Sequence, residues 1–235
     1  MKKVSVCMAT YNGEKHLYKQ ISSVLEQLSE NDELIVSDDG STDNTISIIK
    51  SFSDDRINIF YNKNKKGPVS NFENALSNAN GDIIFLADQD DVWLPDKIKT
   101  HILLHEKCDL VISDAKVINE AGSLIYESFF KERNSRPGLL NNLIKNSYIG
   151  CCMSFNRQIL NYALPFPAYI HMHDWWIGLI GELKGSTIFC NDQLMNYVRH
   201  QNNASPTLSK SGYSVLRRLK NRVQLIYGLF FIAIK

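Results

Sequence analysis

From Val4 to about Lys116, short β-rich runs alternate with longer helical patterns. VSVCMAT is followed by KHLYKQISSVLEQL, in which Leu17, Ile21, Val24, Leu25 and Leu28 recur on one helical face. ELIVS then leads to TDNTISIIKSF, RINIFY to PVSNFENALSNA, DIIFLA to PDKIKTHILLHE, and the series closes on DLVIS. Repeated strand–helix units predict an α/β fold, a Rossmann-like and mainly parallel central sheet with helices on both faces. Pro68 after Gly67, and Pro95 followed by Asp96, each suit a first helical turn.

The rhythm breaks after Asp114. Residues 116–147, with Gly122, Pro137 and Gly138, predict an irregular insertion or hairpin ahead of the apolar segment YIGCCMSF. A helix starting near Asp174 carries Trp175, Trp176, Ile177, Leu179 and Ile180; TIFC reads as the last strand, 196–212 as a polar loop and 213–235 as a basic helix.

A hydrophobic share of 44% in 235 residues, with 22% charged, is ordinary for a globular protein and excludes disorder, collagen-like repeats and coiled coil. The formal net charge of +1 argues against nucleic acid as a partner, but the charge is uneven: residues 193–235 carry Arg199, Lys210, Arg217, Arg218, Lys220, Arg222 and Lys235 and no acidic residue. Cys7, Cys108, Cys151, Cys152 and Cys190 are an odd set without CxxC spacing, which reads as buried free thiols in a reducing cytoplasm. The apolar run after Lys2 and Lys3 is only about six residues, too short for a signal peptide. Val223 to Ile234, at about 12 residues, falls short of the roughly 20 needed to cross a bilayer.

Ligands of such sheets bind beyond the carboxyl ends of the strands, and the residues there are polar and acidic. Strand one ends in Thr10-Tyr11-Asn12-Gly13, strand two in Asp38-Asp39-Gly40-Ser41-Thr42-Asp43, and strand four in Asp88-Gln89-Asp90-Asp91. Asp38 and Asp43 read equally as site residues or as turn and cap chemistry. Three carboxylates within four residues at 88–91 repel one another unless a cation neutralises them, and a hard divalent ion, Mg2+ or Mn2+, meets that need. Neither GxGxxG nor GxxxxGK is present, which argues against a dinucleotide fold and an ATP-type phosphate loop. DQDDV also meets the DxDx pattern of haloacid-dehalogenase-like phosphatases, with Asp88 as nucleophile; there the motif lies on the first strand, whereas here it follows the fourth. A non-catalytic sugar-nucleotide-binding module is a third reading.

In order and spacing, TYNG, SDDGSTDNT, DQDDVWLPDKI, GCCMSF and HDWW resemble the family 2 glycosyltransferases with a GT-A fold, over residues 2–204. DQDDVW is similar to the bacterial rhamnosyltransferase-type branch that builds O-antigen and capsule polysaccharide. The resemblance implies an inverting, metal-dependent transfer of a sugar, rhamnose from dTDP-rhamnose or a hexose from a UDP-sugar, to a glycan acceptor that is lipid-linked. It places Thr10, Tyr11, Asn12 and Asp39 at the nucleotide base and ribose, Asp88 and Asp90 in the DxD with Asp90 on the metal, and His200 closing over the metal diphosphate. Asp174 takes the place of the general base, or else caps its helix. Trp175 and Trp176 either stack on sugar faces or belong to the core; Gly150 and Met153 either line the acceptor loop or form a buried turn. In place of Tyr-Arg-x-His-x-x-Asn the chain reads Tyr197-Val198-Arg199-His200-Gln201-Asn202-Asn203, so Arg is displaced by one while His and Asn keep register. The expected organisation is a glycosyltransferase domain over 1–205, with a nucleotide-sugar-binding region over 1–115 and an acceptor-binding region over 116–205, and a basic amphipathic tail over 206–235. In that tail Leu216, Leu219, Val223, Ile226 or Tyr227, Phe230 and Ile234 fall at helical spacing beside Arg217, Arg218, Lys220 and Arg222. Such a helix suits the anionic inner face of the cell membrane, or packs on its own domain or in a homodimer.

Overall fold

The runs VSVCMAT, ELIVS and IIFLA are buried on both faces, and a sheet covered on both sides is where they find burial. In the computed structural model, which describes residues 2–200, 203 and 214–234, Val4–Thr10 (β1), Glu33–Asp38 (β2), Ile57–Tyr61 (β3) and Ile83–Asp88 (β4) pair in parallel in the order β3-β2-β1-β4. Val6, Cys7 and Met8 of β1 and Ile84, Phe85 and Leu86 of β4 are fully buried between helices Leu17–Leu25 (α1), Thr45–Ser51 (α2) and Pro68–Ser77 (α3) and the rest of the core. Pro68 takes the first position of α3, where its missing N–H costs nothing. The chain winds outward from β1 to β3 and returns across β1 to β4. Winding therefore reverses between β1 and β4, and a crevice opens beyond their carboxyl ends.

Past β4 the sheet is mixed rather than parallel. Met153–Asn156 (β8) lies antiparallel between β4 and Leu110–Asn119 (β6), because it enters from a 3-10 turn, Gly150–Cys152, and not from a crossover helix. The expected boundary at 115/116 falls inside β6, so the two regions share one sheet. The insertion begins as a hairpin, β6 with Leu124–Tyr126 (β7), and continues as helices Phe129–Arg133 (α5) and Leu139–Ile144 (α6). Two expectations are corrected. The strand read as TIFC runs from Thr187 to Arg199 (β9), parallel to β6 with register shifts around Asp114, so Asn196 to Arg199 belong to a strand and not to a loop. Residues 201–202 and 204–212 of that predicted loop lie outside the described residues. Pro95 stays out of the next helix, Lys97–Leu104 (α4), because Asp96 between them takes a left-handed conformation (φ 65°). A two-residue strand, Val92–Trp93 (β5), pairs antiparallel with β9.

Arg157–Ala163 (α7) and His173–Lys184 (α8) complete the core, and Val215–Ala233 (α9) packs on α8 through Leu225, Gly228, Leu229 and Ile232. A Cβ at Gly228 would stand 2.9 Å from the Trp176 ring, so glycine sets how closely α9 approaches. Cys7, Cys108, Cys151 and Cys152 are buried free thiols and Cys190 a half-buried one. No helix among the described residues is long and apolar enough to cross a membrane.

Beneath the sheet, Ser154 Oγ bridges two buried imidazoles, His101 Nδ1 at 2.7 Å and His105 Nε2 at 2.8 Å. Burial holds His101 well below its ordinary range and brings His105 down to about 4. Both are therefore neutral when folded, whereas the unfolded chain takes up protons below about 6.5. Their contribution is complete above that pH and is lost as pH falls from about 6.5 towards 4. Tm is expected to drop across this window, and His105→Gln to flatten the drop; equal slopes for both proteins would contradict the assignment.

Candidate active site

The crevice between β1 and β4 is laced by one side chain. Gln89 Oε1 accepts the Tyr11 N–H (2.9 Å) while its Nε2 donates to the Tyr11 carbonyl (3.1 Å). A Cβ at Gly13 would lie 2.3 Å from that Oε1, which is the local need for glycine in TYNG. Thr10 is buried and donates to Asp38 Oδ2 at 3.0 Å. Asn12, in the left-handed region at φ 47°, accepts the Thr42 N–H at 2.8 Å and donates its own to Ser41 Oγ at 2.9 Å. Tyr11 is 51% exposed at the mouth, with Lys66 Nζ 5.8 Å from its ring centre.

Asp38 is turn chemistry. It accepts from the N–H groups of Gly40 (3.0 Å) and Ser41 (2.8 Å) as well as from two hydroxyls. Asp43 likewise accepts from Thr45 N at 3.0 Å at the start of α2. Asp39 is buried, and its two oxygens accept from Asn62 Nδ2 and Gly67 N, each at 2.8 Å.

The acidic loop after β4 divides its three carboxylates. Asp90 stands towards the rim, where His200 Nε2 is 2.8 Å and Asn203 Nδ2 3.3 Å from its Oδ2. His200 in turn stacks on His16 with ring centres 4.8 Å apart. Asp91 points inward; its Oδ1 accepts the Val198 N–H at 3.0 Å and its Oδ2 is buried with no hydrogen-bond partner among the described residues. Burial, then Asp90 and Asp88, push Asp91 well above the ordinary carboxylate range. Burial, then Asp90 and Asp174, raise Asp88 to about 7. The ligand atoms of Asp88, Asp91 and Cys151 lie within 4.8 Å of one another, a different trio from the predicted Asp88, Asp90 and His200. Burial keeps the Cys151 thiol protonated, and sulfur is a poor partner for a hard ion, so the oxygens are the fitting donors. An orphaned carboxylate oxygen among mutually repelling acids fits Mg2+ or Mn2+.

Lys97 is the site feature that motif spacing did not single out, and Asp91 counts there only within the carboxylate cluster, without a role of its own. Lys97, fully buried, donates to the Cys151 carbonyl at 2.6 Å and lies 4.3 Å from the Trp93 ring centre. Its position in PDKIK reads as surface charge; the third carboxylate of DQDD was the signal available for Asp91.

On the far wall, Asp174 is the second residue of α8 and does not cap it; the N-cap is Met172, without a side-chain bond. The Asp174 carboxylate accepts from Trp175 N at 2.7 Å and from the Gly150 N–H. Burial raises it to about 6 against the opposing pull of these N–H groups and Arg133. A Cβ on Gly150 would come within 3.3 Å of the Asp174 Cβ, which accounts for glycine there. The sugar-stacking reading of the tryptophans is corrected: Trp175 and Trp176 are buried, their indole N–H groups donating to the carbonyls of Asn142 (2.8 Å) and Ala163 (3.0 Å). Met153 is likewise fully buried, on β8, and has no surface for an acceptor.

Residues 5–163 match the model of glycosyl transferase family 2. The chain belongs to that family. It is 32% identical over 208 residues to the UDP-Glc:alpha-D-GlcNAc-diphosphoundecaprenol beta-1,3-glucosyltransferase WfgD of Escherichia coli, covering 86% of this chain and 79% of that one. The dTDP-rhamnosyl transferase RfbG of Shigella flexneri is 30% identical over 215 residues, 83% of this chain and 72% of RfbG. Among solved structures, Staphylococcus aureus TarS 1–349 in complex with UDP-GlcNAc superposes with a TM-score of 0.75 at 19% identity, over 98% of this chain and 67% of that one. The fold is GT-A, and the phosphatase reading of Asp88 and the binding-module reading of the chain give way to a family 2 glycosyltransferase.

Proposed function

We propose that this glycosyltransferase moves a hexose from a UDP-sugar, glucose first, to a lipid-linked glycan diphosphate at the cytoplasmic face of the membrane, in surface polysaccharide synthesis and with inversion. dTDP-rhamnose is the second donor to test, since RfbG carries that activity in its name. The observation that carries the reading is the convergence of Asp174 with the end of β4: a Cβ at Gly150 would meet both Asp174 Cβ (3.3 Å) and Leu86 Cδ1 (3.7 Å), two residues before Asp88, and the Asp174 charge raises Asp88.

In this reading Tyr11 stacks on the base, with Asn12 and Asp39 at the ribose. Asp88 and Asp90, with the inward Asp91, would hold Mg2+ or Mn2+. The ion's chemistry is to neutralise the departing diphosphate. His200, resting on Asp90, closes the mouth. Asp174 takes the proton of the acceptor hydroxyl as that oxygen attacks the anomeric carbon, and Gly150 N–H keeps its carboxylate aimed. Nucleoside diphosphate release, UDP or dTDP, from a panel of UDP- and dTDP-sugars with Mn2+ and a lipid-diphosphate acceptor tests the function; release from none of them would overturn it.

Asp174 must be ionised to act as base, and burial raises it to about 6. With saturating Mn2+, kcat/KM is expected to fall about tenfold per pH unit below 6 and to level off above it. A flat profile down to pH 5 would remove Asp174 from the base role.

A further inference from the structure

One face of α9 is buried against α8 and the other is apolar and open. Leu216, Leu219, Val223, Ile226, Phe230 and Ile234 are between 53% and 79% exposed. The apolar stripe legible in the sequence is therefore the outward one, and the packing face is Leu225, Gly228, Leu229 and Ile232. On α6, which Arg222 ties to α9, Leu140 is 74% and Ile144 71% exposed. Arg222 joins the two helices by donating to the carbonyls of Leu143 (3.0 Å) and Ile144 (2.5 Å). A surface of this extent on one side of a globular domain marks an interaction site.

Charge distinguishes the occupants. Arg217, Arg218 and Lys220 are exposed on the first turns of α9, and residues 193–235 contain no Asp or Glu. A two-fold pairing of α9 with a second copy would oppose these cations to an equally acid-free helix. An anionic lipid surface neutralises them while taking up the apolar stripe. The two helices also run in the same direction: the Arg222 guanidinium lies 5.9 Å from the Trp175 ring centre, and Lys184 Nζ lies 3.4 Å from the Ala233 carbonyl. The basic end of α9 is thus the end beside Trp175 and its neighbour Asp174.

We propose that α9 and the α6 edge form an in-plane docking surface for an anionic bilayer, oriented so that its basic end brings the Asp174 side of the site to the lipid headgroups. This rests on the transferase reading above and names the surface through which a lipid-linked acceptor reaches it.

Co-sedimentation of the full chain with phosphatidylglycerol/phosphatidylcholine vesicles tests it, with pure phosphatidylcholine as reference. Wild type is expected to bind the anionic vesicles and to be released by salt. The triple variant Arg217→Gln, Arg218→Gln, Lys220→Gln should bind about 10²-fold more weakly, near fivefold for each charge. The pair Ile226→Ser, Phe230→Ser should also lose binding, with Tm unchanged because both side chains face outward. UDP-sugar hydrolysis by water, measured on the same preparations, should match wild type in every variant. Wild type that hydrolyses donor but ignores anionic vesicles overturns the docking surface and leaves the transferase reading standing. Vesicle binding without donor turnover does the reverse. A stable dimer in light scattering, abolished by Ile226→Ser, Phe230→Ser and coupled to salt-insensitive vesicle binding, overturns it in favour of a second copy.

Discussion

Asp174→Asn is expected to leave donor affinity within about twofold of wild type while turnover falls by about 10² to 10⁴. The amide preserves the shape of the side chain and an oxygen for the Trp175 N–H, which the carboxylate accepts at 2.7 Å. It has no affinity for the acceptor's proton. Because burial already raises the Asp174 carboxyl to about 6, the folded protein carries a cost for its charge at neutral pH, and the amide removes that cost. Tm should therefore hold or rise. Calorimetric donor titration, turnover and melting on the same sample check all three. A variant that loses activity in step with stability would show that the residue serves the fold of α8 and not the reaction.

Asp90→Ala should reduce transfer by more than about 10³-fold and cancel the gain in donor affinity that Mn2+ confers, leaving the affinity measured in EDTA. Its folding cost should be small, about 1–2 kcal/mol, since the side chain's protein partners are His200 and Asn203 at the rim. Asp91→Ala is the informative contrast, because it strips the Val198 N–H of its acceptor inside the core. That variant should lose metal response and stability together. Titration of donor with and without Mn2+ reads the outcome; full manganese response in Asp90→Ala would place the cation on Asp88 and Asp91 alone.

The first half of the fold was legible because a parallel sheet covered on both faces needs uninterrupted apolar strands, and VSVCMAT, ELIVS and DIIFLA have them. β5 was not, since two residues make a strand only by pairing with Met195 and Asn196, far along the chain. The same holds for the end of β9, where the polar run to Arg199 is held by its partner β6 and not by its own pattern. At the candidate site, motif order identified the acids, but which of them turns inward depends on Val198 N–H, a backbone donor invisible to spacing. The tryptophans next to Asp174 illustrate the opposite problem: HDWW fits a stacking platform and a core equally, and the carbonyls of Asn142 and Ala163 decide for the core. On α9 the periodicity was correct, yet periodicity alone does not say which of two apolar faces meets the domain.

The stereochemistry of the transferred sugar and its dependence on a cation bear most directly on the roles given to Asp174 and the acidic loop. The measurement is proton NMR of the anomeric signal of the product formed from α-linked UDP-glucose and a synthetic lipid-diphosphate acceptor, in Mn2+ and in EDTA. A β-linked product that appears with Mn2+ and is absent with EDTA is the expected result, since a single displacement driven by Asp174 inverts the anomeric carbon. An α-linked product, or equal yield in EDTA, would contradict it.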